Sequence, residues 1–204
     1  MGVIIKKAVN KTLVFILLIF YGCSNNTSKV EQRRFVANRD TSITIIRNNI
    51  VITGKPTLDS ASILSIKAKF EPFISFEDFK ISSIYNGKKA LLDSKSKLIE
   101  AEYKSIILND YEKATVNFSG HYCLISYRCG APCQNFILVD VIEGQVYDGF
   151  ISENGFQFNL LSRMIIANPP DSLGYYDANC SYCLPEIWIW DETNKTFTNI
   201  KSKK

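Results

Sequence analysis

Runs of β-branched residues set the rhythm of this chain. Ile43-Thr44-Ile45-Ile46 and Ile50-Val51-Ile52-Thr53 flank Arg47-Asn48-Asn49, and asparagine tolerates the positive φ of a tight turn, so a first hairpin is predicted here. Ile63 to Phe70 reads as another strand. Phe70, Phe73, Phe76 and Phe79 then recur at intervals of three, a stripe expected to form core or to cover an edge. Lys97 to Lys113 is the best helical pattern, because Ile99, Tyr103, Ile106 and Ile107 share one face. Ser96 is placed to cap it, and Glu100 and Glu102 sit early, where the helix dipole favours negative charge.

From Asn117 onward strand follows strand. Gly120 to Arg128, Phe136 to Val141, Gln145 to Tyr147, Gly155 to Asn159, Ser162 to Ala167, Glu186 to Trp190 and Thr196 to Ile200 each fit. Their connections are short, which favours antiparallel pairing, since parallel strands need long crossovers. The expected fold is α+β and β-rich: a mainly antiparallel sheet, as a meander or a small barrel or sandwich, with one main helix near 97–113. No GxxxxGK[ST], GxGxxG or HExxH motif is present.

Composition changes the picture at the N-terminus. The 204 residues are 46% hydrophobic and 12% aromatic, enough for one substantial core. Lys6, Lys7 and Lys11 precede the unbroken apolar run Leu13 to Phe20, after which the chain turns polar at Ser24. That run is short of the roughly 20 residues a membrane span needs, and it fits the h-region of a secretory signal peptide. Gly22-Cys23 resembles the lipobox of bacterial lipoproteins, in which the cysteine sulfur receives a diacylglycerol before cleavage. The resemblance implies a lipoprotein signal peptide at 1–22, lipidation at Cys23, and a membrane as partner through that lipid. An ordinary signal peptide or an uncleaved anchor is the alternative. Two or three acyl chains hold firmly where one holds marginally, at about 0.8 kcal/mol per buried methylene. Residues 23–40 are polar and aperiodic, as expected of a flexible spacer, and 41–204 is expected to form a single β-rich globular domain. Removal of residues 1–22 brings the formal charge from +4 to +1, a balance that argues against a nucleic-acid partner.

Five cysteines remain in the body: Cys123, Cys129, Cys133, Cys180 and Cys183. In an exported chain disulfides are expected, and an odd count leaves at least one thiol free or paired between chains. Cys129 with Cys133 and Cys180 with Cys183 is one pairing; a cross-link between the two loops is another. The spacing also roughly resembles that of a four-cysteine zinc site, although C-x3-C is not the usual first half. Redox chemistry at Cys180-Ser181-Tyr182-Cys183 is a third reading, weakened because Pro185 and a strand-like run follow where a helix would be needed. His121 is the lone histidine. In a strand from Gly120 it would share a face with Cys123, Ile125 and Tyr127, making a His121–Cys123 nucleophile pair conceivable for thiol or acyl chemistry. A buried cysteine more often behaves as a small inert hydrophobe.

Asn117-Phe118-Ser119-Gly120-His121-Tyr122, followed by Cys129-Gly130-Ala131-Pro132-Cys133-Gln134, Asp140 and Gly144-Gln145-Val146-Tyr147, resembles a group of uncharacterised exported bacterial proteins. That group carries N-F-x-G-H/K-Y leading to W-x-C-G-x-x-C-Q; Tyr127 stands here where it often has tryptophan, and Cys180-x-x-Cys183 lies outside the shared pattern. Ile165 to Pro170 and the closing Trp190, Asp191 and Phe197 are similar too. The resemblance implies export and a disulfide loop but supplies no mechanism. The expectation is a non-enzymatic cell-envelope lipoprotein, facing the periplasm or outer membrane, that binds an envelope protein or ligand and uses no cofactor.

Overall fold

A computed structural model of the chain describes residues 43–47, 49–54 and 63–201. The expected signal peptide 1–22, Cys23 and the expected spacer 23–40 lie outside the described residues. In chain order the elements are β1 (Ile43–Arg47), β2 (Ile50–Gly54), β3 (Ile63–Lys69), a 3-10 turn (Phe76–Phe79) and α1 (Lys104–Lys113). There follow β4 (Tyr122–Arg128), β5 (Gln134–Asp140), β6 (Val146–Asp148), β7 (Phe156–Phe158), β8 (Met164–Ala167), β9 (Tyr175–Asp177), β10 (Glu186–Asp191) and β11 (Thr196–Ile200). The strands form three sheets, in the orders β1-β2-β3-β9, β4-β5-β6 and β11-β10-β8-β7. Among the described residues every pairing is antiparallel, and no sheet closes into a barrel.

Strand alternation assigns each face its neighbour. On β4 and β5, Cys123, Ile125, Tyr127, Ile137 and Val139 join Ile107 and Tyr111 of α1 in one buried cluster. Tyr122, Leu124, Phe136 and Leu138 point the other way, into a second cluster with Ile165 of β8 and Trp190 of β10. Phe136 meets Phe150, Phe156 and Phe197 edge-on at 5.0, 4.8 and 5.4 Å, the geometry that aromatic quadrupoles favour. The opposite faces of β8 and β10 present Met164, Ile166, Ile187 and Ile189 to Phe70, Ile74, Phe76 and Phe79. Three members of the phenylalanine stripe therefore cover that third cluster, while Phe73 is half exposed.

The first sheet stands apart. None of the described side chains of β1, β2, β3 or β9 belongs to the three buried clusters. Asn49, at φ 66, makes the expected β1–β2 turn, and Ile45, Ile52 and Ile66 align across the three strands. β3 joins the body through β9 and through the Phe70 N–H to Gly174 carbonyl bond of 2.9 Å.

The helix is shorter than the periodicity predicts. Residues 96–103 close a succession of tight turns instead, with Ile99 N–H on the Ser96 carbonyl (3.2 Å) and Tyr103 N–H on the Glu100 carbonyl (3.1 Å). Ser96 Oγ accepts from Leu98 N–H at 3.3 Å, so it serves such a turn and does not cap α1. Within α1, Ile107 and Tyr111 are buried against the sheet, whereas Ile106 is half exposed. The helix is finished by a lysine from outside it. Lys89 Nζ donates to the carbonyls of Tyr111, Glu112 (3.3 Å) and Ala114 (2.8 Å), placing a cation where the helix dipole is negative.

Candidate functional site

Two left-handed residues decide what β4 presents. Ser119 (φ 43) and Gly120 (φ 74) turn the chain just before the strand, and a Cβ on Gly120 would run into the Ser83 carbonyl. The strand therefore starts at Tyr122, two residues later than Gly120–Arg128 implies, and His121 stays outside the ladder. The His121 ring lies against Tyr122 at 4.2 Å, and its Nε2 faces Asp140 Oδ2 at 3.8 Å. Asp140 is buried and its Oδ1 already accepts the Ile142 N–H at 2.8 Å.

Cys123 lies inside the helix-side cluster, fully buried among Ile107, Tyr111, Ile125 and Val139. Burial pushes its thiol up to about 11, a rise that the Lys89 charge only partly offsets. A nucleophilic cysteine needs the opposite: access and a stabilised thiolate. The structure thus gives His121 to Asp140 and Tyr122, and Cys123 to the core.

Beside His121 sits a polar cluster that the sequence reading passes over. The buried Tyr122 hydroxyl donates to Glu192 Oε2 (2.6 Å) and accepts from Lys195 Nζ (2.7 Å), while Lys195 and Glu192 pair at 3.1 Å. Burial and the bond to Glu192 raise the Tyr122 pKa. Burial alone would lower that of Lys195, but its bonds to Tyr122 and Glu192 outweigh this and raise it. Tyr122 is thereby held as the phenol and Lys195 as the ammonium, and the cluster clamps the β10–β11 turn to the start of β4. Asp191-Glu192-Thr193-Asn194-Lys195 reads as a plain connection in the sequence; the i,i+3 spacing of Glu192 and Lys195 is the signal within it.

The four remaining cysteines pair within their own loops. Cys129–Cys133 and Cys180–Cys183 are disulfides with Cα–Cα distances of 5.2 and 5.1 Å. The two loops are not cross-linked, and neither keeps a thiolate for zinc. Among the described residues no group of three His, Cys, Asp or Glu is placed to hold a metal. The Cys180–Cys183 loop lies between β9 and β10, with no helix N-terminus at either sulfur.

Asn168 ties these loops together. Its Oδ1 accepts Ser152 Oγ, Glu153 N–H and Asn154 N–H, each at 2.9 Å. Its Nδ2 donates to the carbonyls of Tyr182 and Leu184, each at 3.2 Å. Ser152 in turn exchanges both backbone bonds, each 2.8 Å, with Gln134, the residue after Cys133. Ser152 and Asn168 are both buried, and around them Ile151, Tyr182 and Leu184 expose apolar surface.

Open clefts flank α1. One of about 560 Å³ is lined by Ile84, Tyr85, Lys113, Val116 and Val141, and one of about 480 Å³ by Leu91, Leu92, Leu108 and Tyr111. Lys89 borders both, but its ammonium is engaged with the helix carbonyls. Neither His121 nor any cysteine lines them.

Comparison of the chain with protein-family models, with curated proteins and with solved structures found no match.

Proposed function

We propose that this chain is a cell-envelope lipoprotein, cut before Cys23 and held to a membrane by lipid on that residue, whose body is a non-enzymatic binding or interaction module. The observation that carries the reading is the pair of disulfides in the body, Cys129–Cys133 and Cys180–Cys183, since such bonds persist in exported proteins and are rare in reducing compartments. It agrees with the signal-like residues 1–22 and with the resemblance to exported bacterial proteins around Asn117–Gln134. The occupant of the module is an envelope protein or ligand, and the body faces the periplasm or the outer membrane. Its two sheets about Phe136 and Trp190 are read as a small sandwich, flanked by α1 on one side and the phenylalanine stripe on the other.

A thiol or acyl-transfer enzyme built on His121 and Cys123 is the weaker reading, because Cys123 is buried and its thiol is raised. No helix among the described residues is long and apolar enough to cross a membrane. The test is Triton X-114 partition of the full chain and of Cys23→Ser, with mass spectrometry of the N-terminal peptide. Wild type is expected in the detergent phase with an acylated Cys23, and the variant in the aqueous phase. A variant that partitions like wild type refutes the anchor.

A further inference from the structure

The two disulfides are supported very differently by the backbone around them. Cys129 and Cys133 sit at the end of the β4–β5 ladder, where Arg128 pairs with Gln134 and Cys129 N–H reaches the Cys133 carbonyl at 3.2 Å. Seven consecutive residue pairs hold that hairpin whether or not the sulfurs are joined. Residues 180–184 belong to no ladder. Their fixed points are the Cys183 N–H to Cys180 carbonyl bond of 3.1 Å, the disulfide, and the two bonds from Asn168 Nδ2. Cys180 and Cys183 are half-buried, and Ser181 and Tyr182 between them are exposed, so the loop faces solvent.

We infer that Cys180–Cys183 is a redox latch: its reduction releases the Tyr182–Leu184 carbonyls from Asn168 and thereby loosens the 152–155 loop, which carries no cysteine. The link is the Asn168 amide, a planar group whose nitrogen grips one loop while its oxygen grips the other. Loss of the Tyr182 and Leu184 carbonyls removes one of the two grips that orient the amide plane, and with it part of the hold on Glu153 and Asn154. The reductant is a dithiol. One of its thiolates attacks a cysteine sulfur, its second thiol displaces the mixed disulfide, and two electrons and two protons pass to Cys180 and Cys183 as the dithiol closes to a disulfide. The cysteines act as a fastener here and need none of the helix-terminal activation of a thioredoxin-type catalyst. The consequence is a surface, Ile151 with Tyr182 and Leu184, whose order follows the thiol–disulfide balance around the protein.

Amide hydrogen exchange by mass spectrometry tests this on the folded chain. Cys129→Ser/Cys133→Ser is used so that dithiothreitol acts on Cys180–Cys183 alone. Reduction is expected to speed exchange of the Glu153 and Asn154 amides roughly tenfold, the scale of one net hydrogen bond. The Cys180→Ser/Cys183→Ser variant is expected to match it without reductant. In Asn168→Asp, which lacks Nδ2, exchange at 153–154 is expected to be the same in both redox states. Unchanged exchange at 153–154 while 180–184 opens overturns the latch. So does an Asn168→Asp protein that still responds to the reductant.

Discussion

Raising the pH isolates what the core does to Cys123. The thiol is shifted from about 9 to about 11 by burial, so the folded chain keeps this proton where the unfolded chain has released it. For such a group the stabilisation is complete below the unfolded value and is lost as pH climbs through the folded one. Between about pH 8 and about pH 10.5 the two-unit gap removes about 2 kcal/mol of stability, most of the shift at 1.36 kcal/mol per unit. Tyr111, raised to about 12 chiefly by burial, and Tyr122, also raised, add to the alkaline loss, so wild type alone does not apportion it. Cys123→Ala does. Urea unfolding is read by tryptophan fluorescence at both pH values, each point taken before thiol–disulfide exchange sets in. Wild type is expected to lose about 2 kcal/mol more than Cys123→Ala over this interval. Equal losses in the two proteins refute the assignment. Rapid modification of native Cys123 by iodoacetamide near pH 8 refutes it independently, and revives the thiol-enzyme reading.

Two substitutions test other parts of the fold. Lys89→Met keeps the stem but removes the donor that closes α1, and is expected to cost about 1–2 kcal/mol, with faster exchange at Ala114. An unchanged urea midpoint counts against the lysine cap. Tyr122→Phe leaves Glu192 and Lys195 without the hydroxyl between them, and is expected to cost about 1–3 kcal/mol, with loosening of the β10–β11 turn in hydrogen exchange. Loosening confined to β4 contradicts the clamp.

Elements that rest on local pattern were legible in the sequence. The first hairpin follows from its β-branched runs and Asn49, and β4, β5, β10 and β11 from alternation and short turns. What the sequence hid depends on distant partners. β9 has three residues, and exists because Lys67, Ala68 and Lys69 pair with it across more than a hundred positions. The first half of the predicted helix carries Ile99 into the core through turns, so burial mimicked a helical face there. His121 and Cys123 looked like neighbours on one face because nothing local marks Ser119 as left-handed. Asn168 and Ser152 are ordinary polar residues until folding places them together. The five side-chain partners of Asn168 come from two other loops.

The separateness of the first sheet has a mechanical side. Tension arriving along the segment before Ile43 enters at an edge strand, and the five residue pairs of β1–β2 take it first. Behind them stand β3 and then the three pairs to β9, all outside the buried aromatic and aliphatic clusters. Strands peeled off in that order lengthen the chain while α1, β4, β5 and their packing stay intact. Under a pull from the N-terminal side the isoleucine sheet would therefore yield before the core does.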